Sequence, residues 1–473
     1  IFAMVFGSTF GTFNAANADN IAMNGNALAL AGVNEANDIL VAAANATAFE
    51  LQLDDGDVTV AGITQANAGA MVMSLTDNAG AVGTFTVTGD ITAATAALTI
   101  QLDDEATKMV LAGNVTETSV ATLIKLDDTA ILEFTGTTKN IDSIINGLAA
   151  NEGTITLAGV TEFDDVVGGV QAVKAMNVSA SKSGDFNAAV DVTTVTNLGT
   201  LIFEGAVGAN TITNSGTVTA NAIVTNVAAN NEAAMIMHTT GSILNLNAAG
   251  NISQDMIITA TTNSFGTINI FDTADDAAGG ITTVAAGGLI GASGKNIGTL
   301  NVGKTDGTKS GRLVTLDGSA VFATTVNITG GNHASEDSSI NLLEAINTTS
   351  ITLSATGLAD ATLQTSGTTV AVAGTVDSAS GTDGAGFTII DADIATQFAG
   401  NVGATVAVEK MDIAAIKVDL DGATNAIEVT HFSGDGELEF GTGAAQTVTG
   451  KITTVNETGT VENGSTTGTL TIT

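Results

Sequence analysis

Proline, cysteine, tryptophan and tyrosine are all missing from this chain, and arginine occurs once, at Arg312. Histidine is nearly as scarce, with His238, His333 and His431 widely separated. Catalytic acids, bases and nucleophiles are drawn mostly from His, Cys, Tyr, Lys and Arg, so the composition argues against an enzyme. The three histidines share no metal-ligand spacing, which excludes a zinc site of the usual kind. Phenylalanine is the only aromatic, so side chains that stack on bases, nucleotides or sugars are almost lacking. Proline at its ordinary frequency of ~5% would supply roughly two dozen residues. Its absence fits long hydrogen-bonded ladders, where each proline would remove a donor.

Positive charge is the next deficit. Lys plus Arg number 12 against 49 Asp plus Glu, a formal charge of −37. Phosphate-backbone binding needs a basic patch, so nucleic acid is excluded as a partner. An anionic bilayer would repel the same surface, and no run of about 18 apolar residues suggests a membrane helix. Yet only 13% of residues are charged, too few for an acidic disordered tail, and the 44% that are hydrophobic can fill an extended core.

What is present is short alternation. Leu98-Thr99-Ile100-Gln101-Leu102, Thr154-Ile155-Thr156-Leu157, Thr267-Ile268-Asn269-Ile270 and Thr299-Leu300-Asn301-Val302 alternate apolar and polar residues between Gly and Asn punctuation. That is the strand signal. Helical patterns are confined to Ile141 to Leu148, Val166 to Val173 and Ile340 to Ile346. A weak repeat runs through Leu51-Gln52-Leu53-Asp54-Asp55, Ile100-Gln101-Leu102-Asp103-Asp104 and Ile124-Lys125-Leu126-Asp127-Asp128. A second opens strands with Gly-Thr-Leu or Gly-Thr-Ile at Gly199, Gly266, Gly298 and Gly468. Repeats of 20 to 30 residues mark solenoids. The expected fold is therefore all-β, an elongated parallel β-solenoid, with tandem β-sandwich domains as the alternative. Sandwich cores want bulkier aromatics than 17 Phe provide, whereas a narrow parallel coil is filled by Val, Ile, Leu and Ala.

The Thr, Asn, Gly and Ala texture resembles two groups of proteins. The phrases carrying it are Asn197-Leu198-Gly199-Thr200-Leu201 and Asn296-Ile297-Gly298-Thr299-Leu300. One group is bacterial S-layer proteins. The other is the passenger region of surface autotransporters, of the rickettsial outer-membrane coat type. The resemblance covers most of the chain without a diagnostic motif, and no C-terminal membrane-barrel pattern accompanies it. It implies an extracellular, cell-surface structural subunit that self-assembles into a lattice or filament. Cell-envelope polysaccharide or the outer membrane are further partners it implies. The alternative is an adhesin that binds a host or surface ligand.

Paired carboxylates are the recurrent chemistry. Asp54, Asp55, Asp103, Asp104, Asp127 and Asp128 follow strands, where turns present hard oxygen ligands suited to Ca²⁺. Asp164-Asp165 and Asp275-Asp276 are further pairs. Asp419 and Asp421 open an Asp-x-Asp-Gly sequence resembling the start of a calcium loop, without the late Glu of an EF-hand. Such pairs stacked coil on coil would repel one another without a cation. Gly-Gly pairs lack the spacing of a nucleotide-binding loop.

The N-terminal 1–20 segment stands apart from the repetitive body at 21–473, whose candidate subdivisions lie near 140–175 and 335–350. Phe2, Phe6, Phe10 and Phe13 make 1–13 strongly apolar, and Ala16-Asn17-Ala18 is an A-x-A pattern. The segment reads either as a secretory-signal remnant or as an assembly segment that inserts into a neighbouring subunit.

Overall fold

A computed structural model describes the chain from Ile21 to Ile472 except for connecting segments. These are 23–27, 31–38, 42–48, 54–56, 66–69, 78–82, 94–95, 104–106, 118–121, 223, 226–232, 248–251, 255, 272–279, 285–288, 304–311, 317–319, 332–335, 356–357, 368, 380–385, 415, 442–445, 455–458 and 464–469. Side chains are described from Asp57 onward in most strands. The N-terminal segment 1–20, with its four phenylalanines, lies outside the described residues. The chain divides into two compact units, one built from 1–218 with 226–231 and the other from 219–225 with 232–473.

Both units are parallel β-solenoids. In the first, each turn crosses three faces. Met71–Asp77, Leu98–Leu102 and Thr122–Leu126 stack on one face, with Leu98 paired to Met71 below and Thr122 above. Thr84–Val87, Lys108–Leu111 and Ile131–Phe134 stack on the second. Ile91–Ala93, Val115–Glu117 and Lys139–Ile141 stack on the third. The alternation explains the burial: Leu98, Ile100 and Leu102 are buried while Thr99 and Gln101 are half-buried. Each buried aliphatic side chain contributes roughly 1.5–3 kcal/mol. The turn shortens toward the C-terminal end of the unit. Val60 and Thr88, 28 residues apart, meet on adjacent turns, and so do Asn197 and Asn214, only 17 apart.

As the coil narrows, phenylalanine fills it. Phe163, Phe186 and Phe203 occupy one register position on three successive turns. The Phe163 and Phe186 rings stack at 4.5 Å, Phe186 and Phe203 lie at 5.4 Å, and Phe134 meets Phe163 edge-on at 5.1 Å. All four are fully buried. At the narrowest turns two buried asparagines close the corner. Asn197 accepts the Gly199 N–H at 3.0 Å and donates to Asn214 Oδ1 and to the Thr217 carbonyl, both at 2.9 Å. Asn214 accepts the Gly216 N–H at 3.1 Å. Asn197→Ala would remove its three hydrogen bonds and leave the buried Gly199 N–H without its acceptor, and is expected to cost about 2 kcal/mol. A urea melt showing no change would contradict this role.

The second unit uses the same three-faced coil. Phe265–Ile270, Ile297–Val302, Val321–Thr329 and Ser350–Ser354 stack on one face. Ser338–Leu342, Ala361–Thr365, Thr388–Ala392, Val408–Ile413 and Thr424–Phe432 stack on another. Val370–Val372, Thr396–Phe398, Lys417–Leu420 and Glu437–Phe440 form the third. The Gly-Thr openings at Gly266 and Gly298 fall on adjacent turns, Thr267 beside Thr299.

Two expectations are corrected. The sandwich alternative fails because the described strand pairings are parallel; among the described residues the one antiparallel contact is the bridge between Ala292 and Lys295 in a tight turn. The three helical patterns are coil corners, and no described residue is helical. Ile141 ends one strand and Ile145 lies in the next, Ile144–Gly147, both buried. A corner resets the phase of alternation, so apolar residues from two strands fall at helical spacing. The same happens where Leu342 ends one strand and Ile346 begins another.

Candidate functional site

The third face of the first unit delivers one acidic group after another to a single corner. Val115 pairs with Ile141, and Ile141 with Phe163. Glu117, Asp142 and Asp164-Asp165 therefore leave three successive turns at the same edge. The ladder continues through the corner, with the Asp142 N–H on the Val115 carbonyl at 3.0 Å and the Asp164 N–H on the Ile141 carbonyl at 3.1 Å. One carboxylate oxygen from each of Glu117, Asp142 and Asp165 lies within 4.8 Å of the others, and all three residues are half-buried. Asp164 turns aside: Asn187 Nδ2 donates to its Oδ1 at 2.8 Å and to Glu162 Oε1 at 3.0 Å.

The electrostatics follow from this stacking. Burial, then the negative charges of Asp142 and Asp165, pushes the Glu117 carboxyl above its usual range, against the Thr122 N–H that donates to it. Burial, with Asp142 and Asp164, pushes Asp165 up as well. Hard oxygens alone, without His or Cys, suit a divalent cation of the Ca²⁺ type, which takes six to eight oxygen ligands. Glu117, Asp142 and Asp165 would supply the charged ligands, with carbonyls or water completing the shell.

The residues singled out in the sequence fare differently. Asp54, Asp55 and Asp104 lie outside the described residues. Asp103 and Asp127 do stack on adjacent turns, each following a strand whose last leucines, Leu102 and Leu126, are paired. Each accepts a local hydrogen bond: Gln101 Nε2 donates to Asp103, and the Asp128 N–H donates to Asp127 at 2.8 Å. Asp128 is exposed and ion-paired with Lys174 at 2.9 Å. The first copy of the repeat is out of step, because Leu51, not Leu53, is level with Leu75 and Leu102.

Asp419 lies inside a strand, Lys417–Leu420, and not in a loop. Burial and its neighbour Asp421 raise its carboxyl against the attraction of Lys417. Asp421 accepts from Gln397 Nε2 at 2.6 Å. Asn425, the later oxygen of that sequence, is wholly buried, donating to the Gly422 carbonyl and accepting the Val402 N–H. Its carboxamide thereby closes the corner.

Elsewhere, Asp391, Asp412 and His431 sit side by side on three adjacent strands of the second unit. Asp412 gathers two partners: Lys410 Nζ lies at 3.1 Å and His431 Nδ1 at 3.2 Å. Asp391 is pushed up to about 6, by burial first and then by Asp393 and Asp412, against Lys410. Since the folded protein holds this proton more tightly than the unfolded chain, its contribution is complete below the unfolded value and is lost as pH rises through about 6. Asp391→Asn is therefore expected to raise the melting temperature at pH 7 and leave it unchanged near pH 4. The gain is ~1 kcal/mol after discounting for solvent screening. Melts at the two pH values check it.

Comparison of the chain with protein-family models, with curated proteins and with solved structures returns no match.

Proposed function

We propose that this chain is a secreted structural subunit of a bacterial surface layer or sheath, and that divalent cations support its assembly. The observation carrying this reading is the half-buried column of Glu117, Asp142 and Asp165, three acids from successive turns converging on one point. A fold in which each turn adds the same faces can offer repeated, identical-looking surface along its length, which suits a lattice. Uncompensated, the acidic column opposes stacking, and a divalent ion relieves it more than monovalent screening does. The S-layer and coat-protein texture of the sequence points the same way. Electron microscopy of the purified protein with and without Ca²⁺ tests the proposal. Periodic arrays or filaments are expected in Ca²⁺ and dispersed particles in chelator. Dispersed particles under both conditions would overturn it.

A further inference from the structure

The outward side of one face in the second unit carries a continuous row of carboxamides. Asn245, Asn269, Asn301 and Asn327 share one register position on four successive turns. Asn327 Nδ2 donates to Asn301 Oδ1 at 2.8 Å, Asn301 to Asn269 at 2.7 Å, and Asn269 to Asn245 at 2.8 Å. Asn245 Nδ2 in turn donates to Thr219 Oγ1 at 3.1 Å. Above Asn327 the same position is taken by Thr352. A groove of about 540 Å³ runs along this row, bordered on its other side by Phe271, Gly303, Thr329 and Ser354. Gly303 is required where the chain leaves this face. Its φ is +75°, and a Cβ there would meet the Thr329 carbonyl oxygen at 2.0 Å.

Three features of this groove select its occupant. Among the described residues the lining holds no charged side chain, although the chain as a whole carries −37. A neutral strip on an acidic protein neither attracts nor repels an uncharged ligand, and it offers no counter-charge to a polyanion or polycation. Secondly, each carboxamide has two N–H donors and two lone pairs, and the ladder uses one of each per rung. The remainder can both donate and accept, as hydroxyl groups do. Thirdly, the rungs repeat at the strand spacing of ~4.8 Å, close to the length of one sugar unit in an extended chain. Phe271 adds an apolar ring at one end, where a sugar face can lie against it.

We propose that this groove binds an extended, uncharged polysaccharide, one sugar per turn of the solenoid. Recognition runs through repeated hydrogen bonds more than through aromatic stacking, so affinity grows with chain length. The proposal does not depend on the surface-layer reading, because binding is measured on dispersed protein in chelator.

The probes are hexasaccharides of β-1,4-linked glucose, mannose and N-acetylglucosamine, with oligogalacturonate as the charged comparator. Titration calorimetry should show at least one neutral hexasaccharide binding, its disaccharide binding much more weakly, and the charged comparator not binding. Asn301→Thr/Asn327→Thr replaces two carboxamides by the residue that already occupies the next rung, at Thr352, so the coil is retained. This variant should bind about tenfold more weakly with an unchanged melting temperature. Phe271→Ala is the second variant and should weaken binding without touching the ladder. No binding of any neutral hexasaccharide overturns the proposal. So does binding that both variants leave intact, or a groove protected from solvent only by self-association of this chain.

Discussion

Replacing Phe186 with alanine is expected to cost about 3–5 kcal/mol, the range for emptying a fully buried aromatic site. Phe186 stands between Phe163 and Phe203 on consecutive turns, at 4.5 and 5.4 Å. Its loss removes both ring contacts as well as the buried area. The coil is least able to collapse here, because its turns are already short and Asn197 and Asn214 pin the adjoining corner. In a solenoid each turn is stabilised by its neighbours, so the cavity weakens coupling in both directions along the first unit. Phe387→Ala is the control. That ring is 54% exposed, and its removal should stay within about 0.5 kcal/mol. Urea denaturation of the two variants checks the contrast, and equal midpoints would contradict the packing described.

Calcium should stabilise the first unit through Glu117, Asp142 and Asp165. At a hundredfold excess over its dissociation constant, a ligand that binds only the folded state adds about 2.7 kcal/mol. The double variant Asp142→Asn/Asp165→Asn should lose that gain. It should also be more stable than the parent in chelator, since two of the three repelling charges are gone. The pH dependence has a defined sign. Glu117 and Asp165 hold protons more tightly when folded. Without calcium, stability at this corner is therefore complete below the unfolded carboxyl range and declines as pH rises above it. Calcium should flatten that decline. An identical calcium shift in parent and double variant would place the ion elsewhere.

Much of the architecture was legible because a parallel coil repeats one simple local rule. Leu98-Thr99-Ile100-Gln101-Leu102 alternates, and the same pattern 24 residues on lies beside it, as the matched repeat around Ile124 anticipated. Corners were misread, since Ile141 and Ile145 imitate a helix only when the bend between their strands is unknown. The acidic triad was the harder case. Asp164-Asp165 stood out as a pair, but Glu117 and Asp142 are single acids without a motif. What unites them is the third-face register, in which Val115, Ile141 and Phe163 are level. That register depends on turn lengths which vary between 17 and 28 residues. Adjacency in sequence does not reveal such a cluster, because neighbours along a strand point apart while neighbours between turns converge. The carboxamide row had a visible trace, the Asn in Thr-Ile-Asn-Ile and Thr-Leu-Asn-Val, whose meaning appeared only when Asn269 and Asn301 were stacked.

The link between the acidic column and assembly is tested most directly by sedimentation velocity during a calcium titration of the parent chain and of Asp142→Asn/Asp165→Asn. The parent should pass from dispersed particles to large assemblies as calcium rises, and return on chelation. The double variant should remain dispersed at the same concentrations while its far-UV circular dichroism stays that of a β-rich fold. Assembly of both proteins at the same calcium concentration, or of neither, would contradict the account.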